Sequence, residues 1–166
     1  MVHSGAVLVD TNIILECHDR QCWRALAGAY QLETVDLCVR ETQTGFQRRR
    51  PESRIDEQEL RRSFKAVHPV SDEQLAEVLL KGGAALDAGE RALWAHALSR
   101  TDETWILCGP DRASMRFGYQ AGMRARLVSL GGLFEEIGHR PKEALRAHFE
   151  KRWLEDVLSK LVLGIL

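Results

Sequence analysis

Four carboxylates are spaced along the chain in a way that metal-assisted chemistry can use: Asp10, Glu41, Glu90 and Asp111. Carboxylates gathered without compensating lysines repel one another. Their convergence is best explained by a hard divalent cation with oxygen ligands, Mg²⁺ or Mn²⁺. One such ion, or two about 4 Å apart, orients a water as nucleophile and stabilises charge on a phosphodiester. Thr11 and Asn12, directly after the first acid, are placed to hold the carboxylate or the water in position.

Each acid also has a plainer reading. Asp10 or Thr11 can cap the helix that follows it. Glu41 can be a solvated glutamate favoured by a helix dipole. Asp87 and Glu90 have the spacing of a reciprocal capping box, which accounts for Glu90 without chemistry; alternatively Asp87 caps alone and Glu90 points into a cleft. Asp111 can cap the helix after it, and His96 reads as a packed or surface histidine rather than a ligand.

The elements that must position these groups follow from the pattern of apolar residues. Ala6 to Val9 is a short apolar run that reads as a buried strand, with Asp10, Thr11 and Asn12 emerging at its carboxyl end, the edge where open α/β sheets place their sites. A helix is expected from Ile13 to about Tyr30, with Asp19 as an interruption or cap near its middle, then a strand over Thr34–Leu37, and a helix from Cys38 that carries Glu41 in its first turn or two. Val67–Val70 reads as extended because residues before proline favour β geometry. Ser71 with Gln74 opens a capped helix, and Thr104–Cys108 and Ala125–Ser129 are further strands. Alternating strands and helices predict a three-layer α/β/α sandwich with a mostly parallel central sheet. At that sheet's carboxyl edge all four acids can meet.

The chain is read as one domain, residues 1–166, with a basic insert around 46–65 and a C-terminal helical extension around 141–163. The insert holds Arg48, Arg49 and Arg50, with Pro51 breaking the run and acids diluting its charge. It is either a solvated face or a surface for a polyanion. Pro141 suits the first turn of the extension. The stripe Leu145, Phe149, Trp153, Leu154, Val157, Leu158, Leu161 and Val162 serves core packing or self-association.

A formal net charge of -1 excludes a strong global attraction to nucleic acid and leaves only local patches to supply one. Hydrophobic residues at 45% and charged residues at 28% are globular values. Cys17, Cys22, Cys38 and Cys108 match no zinc spacing or disulfide framework, so reduced thiols are expected. With no basic-then-apolar leader and no membrane-length apolar run, a cytoplasmic protein without membrane contact is expected. A dinucleotide fingerprint, a phosphate-binding loop, a nucleophile elbow and a histidine pair at metal-ligand spacing are all missing from the sequence.

In these residues the chain resembles the PIN-domain family of metal-dependent ribonucleases, which includes toxins of bacterial toxin–antitoxin pairs. Val7–Asn12 is similar to the family's opening strand with its first metal acid. Glu41 falls where the family has its second acid. Leu86–Ala92 resembles the central segment with its glutamate after glycine, and Asp111, after Ile106–Pro110, matches the late aspartate. The ordered matches run from about Val7 to Val128. The family often has a threonine or another acid just before its late aspartate, where this chain has Gly109 and Pro110, and Arg112 follows.

The resemblance implies endonucleolytic cleavage of RNA in Mg²⁺ or Mn²⁺, leaving a 5′-phosphate and a 3′-hydroxyl. Asp10, Glu90 and Asp111 would bind the principal metal, with Glu41 assisting or holding a second. Arg48, Arg49, Arg50 and Arg112 are candidates for the RNA backbone. Implied partners are RNA, an antitoxin protein and a second copy in a homodimer. Two other classes stand beside this one: a non-catalytic RNA-binding or complex-forming relative, and a nuclease unconnected with toxin–antitoxin systems.

Overall fold

The computed structural model describes residues 1–45 and 48–166. Phe46 and Gln47, the first two residues of the expected basic insert, lie outside the described residues. Strands β1 (Ala6–Val9), β2 (Gln31–Val35), β3 (Ala66–His68), β4 (Ile106–Cys108) and β5 (Leu127–Val128) form one parallel sheet in the order β3-β2-β1-β4-β5. Helices α1 (Thr11–Asp19), α2 (Trp23–Ala29), α3 (Asp36–Glu41), α4 (Glu57–Ser63), α5 (Asp72–Leu80), α6 (Ala88–Ser99), α7 (Arg112–Gln120), α8 (Leu130–Glu136) and α9 (Lys151–Val162) cover the two faces.

The period of two along each strand divides the core. Val7, Val9 and Leu32 point to one face, where Ile13, Ile14, Leu26, Leu133 and Phe134 from α1, α2 and α8 meet them. Ala6, Leu8, Val35 and Leu107 point to the other, against Cys38, Leu93, Trp94 and Met115 from α3, α6 and α7. A strand buried on both sides must be apolar throughout, which is why β1 reads as a continuous run. The result is the expected three-layer α/β/α sandwich with a parallel central sheet.

The strand order carries the functional consequence. From β1 the chain steps outward to β2 and β3, then returns to lay β4 on the opposite side of β1. The crossovers therefore diverge between β1 and β4, opening a crevice at their carboxyl ends. Asp10 ends β1 and Asp111 follows β4, so the two acids flank that crevice. Thr34, fully buried on β2, donates its hydroxyl to the Val9 carbonyl at 2.6 Å and secures the end of β1 just ahead of Asp10.

The elements follow the sequence expectations in part. The helical stretch expected over 13–30 is two helices, interrupted after Asp19 as expected, because Gln21 adopts a left-handed φ of 53° and the Cys22 amide turns back to the Cys17 carbonyl. The second strand runs Gln31–Val35 rather than Thr34–Leu37, since Leu32 reaches the core one register earlier. Glu41 still lies within the first two turns, as the last residue of the six-residue α3. Pro141 does not start a helix; α9 begins at Lys151, and Leu154, Val157 and Leu161 bury their stripe in the core layer that holds α7. The capping box at Ser71 forms as expected, with Gln74 N–H donating to Ser71 Oγ at 3.2 Å and Ser71 N–H to Gln74 Oε1 at 2.9 Å. Among the described residues no helix is long and apolar enough to cross a membrane. The four cysteines are free and buried.

Candidate active site

Of the helices around the crevice, α1, α6 and α7 each start on an aspartate. Asp10 Oδ1 accepts the Ile13 amide at 2.9 Å, Asp87 Oδ1 that of Glu90 at 2.8 Å, and Asp111 Oδ1 that of Ser114 at 3.1 Å. The capping readings of Asp10, Asp87 and Asp111 therefore all hold. Capping occupies one oxygen per carboxylate and leaves the other. At Asp10, only 3% exposed, the second oxygen Oδ2 is buried with no hydrogen-bond partner. A buried carboxylate oxygen left without a donor is costly, and such an atom in a native fold points to a missing positive partner.

Glu90 is likewise both cap and candidate ligand. Its Oε2 accepts the Asp87 amide at 3.2 Å, completing a reciprocal capping box, yet its side chain is buried in the crevice rather than turned to solvent. Glu41 approaches from the far side of β2. Thr11 Oγ1 donates to Glu41 Oε2 at 2.6 Å, so the threonine beside the first acid orients the second. Gly89 makes this approach possible: a Cβ there would stand 2.5 Å from Glu41 Oε2.

The acids sense one another. Burial, reinforced by the Asp87 and Asp111 carboxylates, pushes the Asp10 carboxyl up to about 7, against the opposing amides of Ile13 and Asn12. Burial with Asp111, Asp87 and Asp10 pushes Glu90 up to about 8. Burial is the main cause at both carboxyls, and the neighbouring acids add to it. Asp87, which the sequence offered only as a cap, is one of those acids.

The unpartnered Asp10 oxygen, the buried Glu90 and Asp111 are oxygen donors of the type a hard divalent cation takes. These acids do not form a group of three whose ligand atoms all lie within 4.8 Å of one another. Repulsion among carboxylates each fixed by a helix cap gives a physical reason for the spread.

The remaining predicted residues are placed as follows. Asn12 is exposed and acts through its amide, which lowers the proton affinity of Asp10. Arg49 hydrogen-bonds the Thr42 and Thr44 carbonyls, and Arg50 pairs with Glu52 at 3.7 Å, so both brace the chain around the insert. Arg48 is exposed on the same segment, and Arg112 is exposed in the first turn of α7 beside Asp111.

A second cluster lies on the α6 face of β2 and β3. Glu33, His68 and His96 bring one donor atom each within 4.8 Å of the others, a spacing suited to a divalent cation. Two imidazoles and one carboxylate suit zinc-like ions better than Mg²⁺. The donors are engaged with each other and with Arg100. The His68 ring and Glu33 Oε1 are 2.6 Å apart through Nε2, Arg100 Nη1 reaches Glu33 Oε1 and His96 Nε2 at 3.1 Å each, and the two imidazoles stack at 3.8 Å. Burial works against the Glu33 charge, but His68 and Arg100 outweigh it and hold the carboxyl below its usual range. Burial, with His68 and Arg100, drops His96 to about 4 and keeps it neutral. Local pattern offered no clue to this cluster: Glu33 is buried because β2 is covered on both faces from Leu32 to Val35.

No family model matches the chain, and no curated protein matches it.

Proposed function

We propose that the protein is a Mg²⁺- or Mn²⁺-dependent endoribonuclease whose site is the acidic crevice at the carboxyl ends of β1 and β4. The observation that carries this reading is the buried, unpartnered Asp10 Oδ2, in a crevice where burial and neighbouring acids raise the proton affinity of Asp10 and Glu90. Asp10, Glu90 and Asp111 would hold the principal ion, with Glu41, oriented by Thr11, assisting. When bound, the ion would activate water for attack on phosphorus and offset the charge that develops there.

The chain's own groups supply the rest. Helix capping by Asp10 and Asp111 fixes the rotation of each carboxylate, leaving the second oxygen for the crevice. The reciprocal cap does the same for Glu90. Because Asp10 and Glu90 hold protons up to about 7 and about 8, ion binding must release protons near neutral pH. Arg112, exposed one residue past Asp111, would engage the substrate backbone at the crevice mouth.

The test is cleavage of a 5′-labelled single-stranded RNA in Mn²⁺ by wild type and by Asp10→Asn, with the product ends identified. Cleavage that leaves a 5′-phosphate and disappears both in EDTA and in the variant supports the reading. RNA left intact by the folded wild type in Mn²⁺ sinks it. Partnership with an antitoxin is a separate proposal, tested by co-purification with the product of a neighbouring gene.

A further inference from the structure

Beside Asp111 the crevice opens into a cavity of about 510 Å³, within the usual size of small-molecule pockets, roughly 300–1,000 Å³. One wall is the outer face of α7, where Arg112, Arg116 and Gln120 recur at intervals of four and so stack one turn apart. All three are exposed, while Phe117 and Leu86, both almost fully buried, form an apolar floor.

The two arginines differ from many others in the chain. Arg20, Arg40, Arg61, Arg100 and Arg146 are paired with carboxylates, and Arg91 and Arg126 are spent on backbone carbonyls. Neither Arg112 nor Arg116 makes an ion pair or a side-chain hydrogen bond with any described residue, although Arg112 adjoins Asp111. Two uncommitted guanidiniums above an apolar floor, with Asp111 in the cavity wall as its link to the acidic crevice, form a surface for one anionic, flat-ringed unit. The acids alone would repel a polyanion; this wall supplies the compensating charge that the chain's net charge does not.

We infer that this cavity seats the nucleotide adjoining the cleaved bond of a single-stranded RNA. Arg112 and Arg116 hold its flanking phosphates, the base lies on Leu86 and Phe117, and the Gln120 amide meets the base edge. An unstacked base can enter such a cavity, whereas a base within a duplex cannot, so single strands are the class selected. The inference rests on the acidic crevice being the cleavage site, and it assigns Arg116, Gln120 and the floor to substrate binding.

The experiment measures fluorescence anisotropy of a labelled 12-nucleotide single-stranded RNA in EDTA, with Asp10→Asn as the parent so that nothing is cleaved. Adding Arg116→Ala should weaken binding by about five- to tenfold at low salt, and Arg112→Ala with Arg116→Ala should weaken it further. The salt dependence should flatten by about one charge per arginine removed. Arg116→Lys should restore the salt slope, and Arg24→Ala, an exposed arginine on α2, should change binding less than twofold. Thermal melts identify any variant that has lost its fold. A duplex of equal length should bind more weakly, while equal binding of the matching DNA strand assigns the pocket to phosphate and base alone. Unchanged binding in the double arginine variant overturns the inference, as does an equal loss with Arg24→Ala.

Cleavage by otherwise wild-type protein in Mn²⁺ separates the two claims. Arginine-dependent binding without any cleavage leaves the pocket standing and removes the nuclease reading. Cleavage with the same kcat/KM in Arg116→Ala and wild type removes the pocket and leaves the nuclease.

Discussion

Asp87 and Glu90 cap each other across the first turn of α6: the Asp87 carboxylate accepts the Glu90 amide at 2.8 Å, and the Glu90 carboxylate accepts the Asp87 amide at 3.2 Å. Glutamine serves this cap as well as glutamate does, but it carries no charge. Glu90→Gln should therefore leave the midpoint of urea unfolding within about 0.5 kcal/mol of wild type, whereas Glu90→Ala should lose about 1 kcal/mol. Both should reduce RNA cleavage by about a hundredfold or more, as loss of a metal ligand does. Cleavage by Glu90→Gln at the wild-type rate would reduce Glu90 to a cap.

The raised carboxyls make the metal-free protein less stable as pH rises. In the folded chain Asp10 keeps its proton up to about 7 and Glu90 up to about 8, while in the unfolded chain both lose it near their ordinary values of 3.8 and 4.5. The stabilisation is complete below those ordinary values and is lost as pH climbs through the folded ones. His18 and His96 act in the opposite sense below 6.5, because burial lowers both from that value. Between pH 6.5 and 8 the acids thus govern, and urea midpoints in EDTA should fall. The fall should shrink in Asp10→Asn, and Mn²⁺ at pH 8 should reverse it. A flat wild-type profile across this window would count against the shared acidic site.

Glu41 reaches the site only because position 89 has no side chain. Gly89→Ala would place a Cβ 2.5 Å from Glu41 Oε2, so the carboxylate must swing away. Cleavage should drop about tenfold or more with little change in the melting temperature, since alanine favours the helix. Thr11→Val, which removes the hydrogen bond orienting Glu41, should lower cleavage in the same direction. Full activity in both variants would take Glu41 out of the mechanism.

At the second cluster, Arg100 competes with any cation for His96 Nε2 and for Glu33. Zinc binding, measured by competition with a chromophoric chelator, should therefore be tighter in Arg100→Ala than in wild type and absent in His96→Ala. Failure of Arg100→Ala to bind zinc would assign Glu33, His68 and His96 to structure alone. Glu33→Ala should cost roughly 1–2 kcal/mol in either case, because it removes the carboxylate partner of His68 while Arg100 keeps its pair with Asp102.

What was legible in the sequence was whatever depends on local pattern. The run Ala6–Val9 announced a buried central strand, and the spacings Ser71–Gln74 and Asp87–Glu90 announced caps that form as read. The four acids could be placed near one edge because strand–helix alternation dictates a parallel sheet. What depends on register was not legible. Starting β2 three residues late hid Glu33, whose partners His68 and His96 come from separate elements at sequence distances that no local pattern links. The conflict between cap and ligand at Glu90 could not be resolved from spacing either, because a carboxylate has two oxygens and the two roles do not compete for the same atom.

The three aspartate caps have a practical consequence. Asparagine starts a helix about as well as aspartate does, so the scaffold tolerates losing these charges where the chemistry does not. On the proposed function, Asp10→Asn combined with Asp111→Asn would yield a catalytically silent decoy: a chain that still folds, still presents its arginine wall, and would capture RNA without cleaving it. Cross-linking such a decoy inside cells and sequencing what it retains would identify the natural RNAs directly.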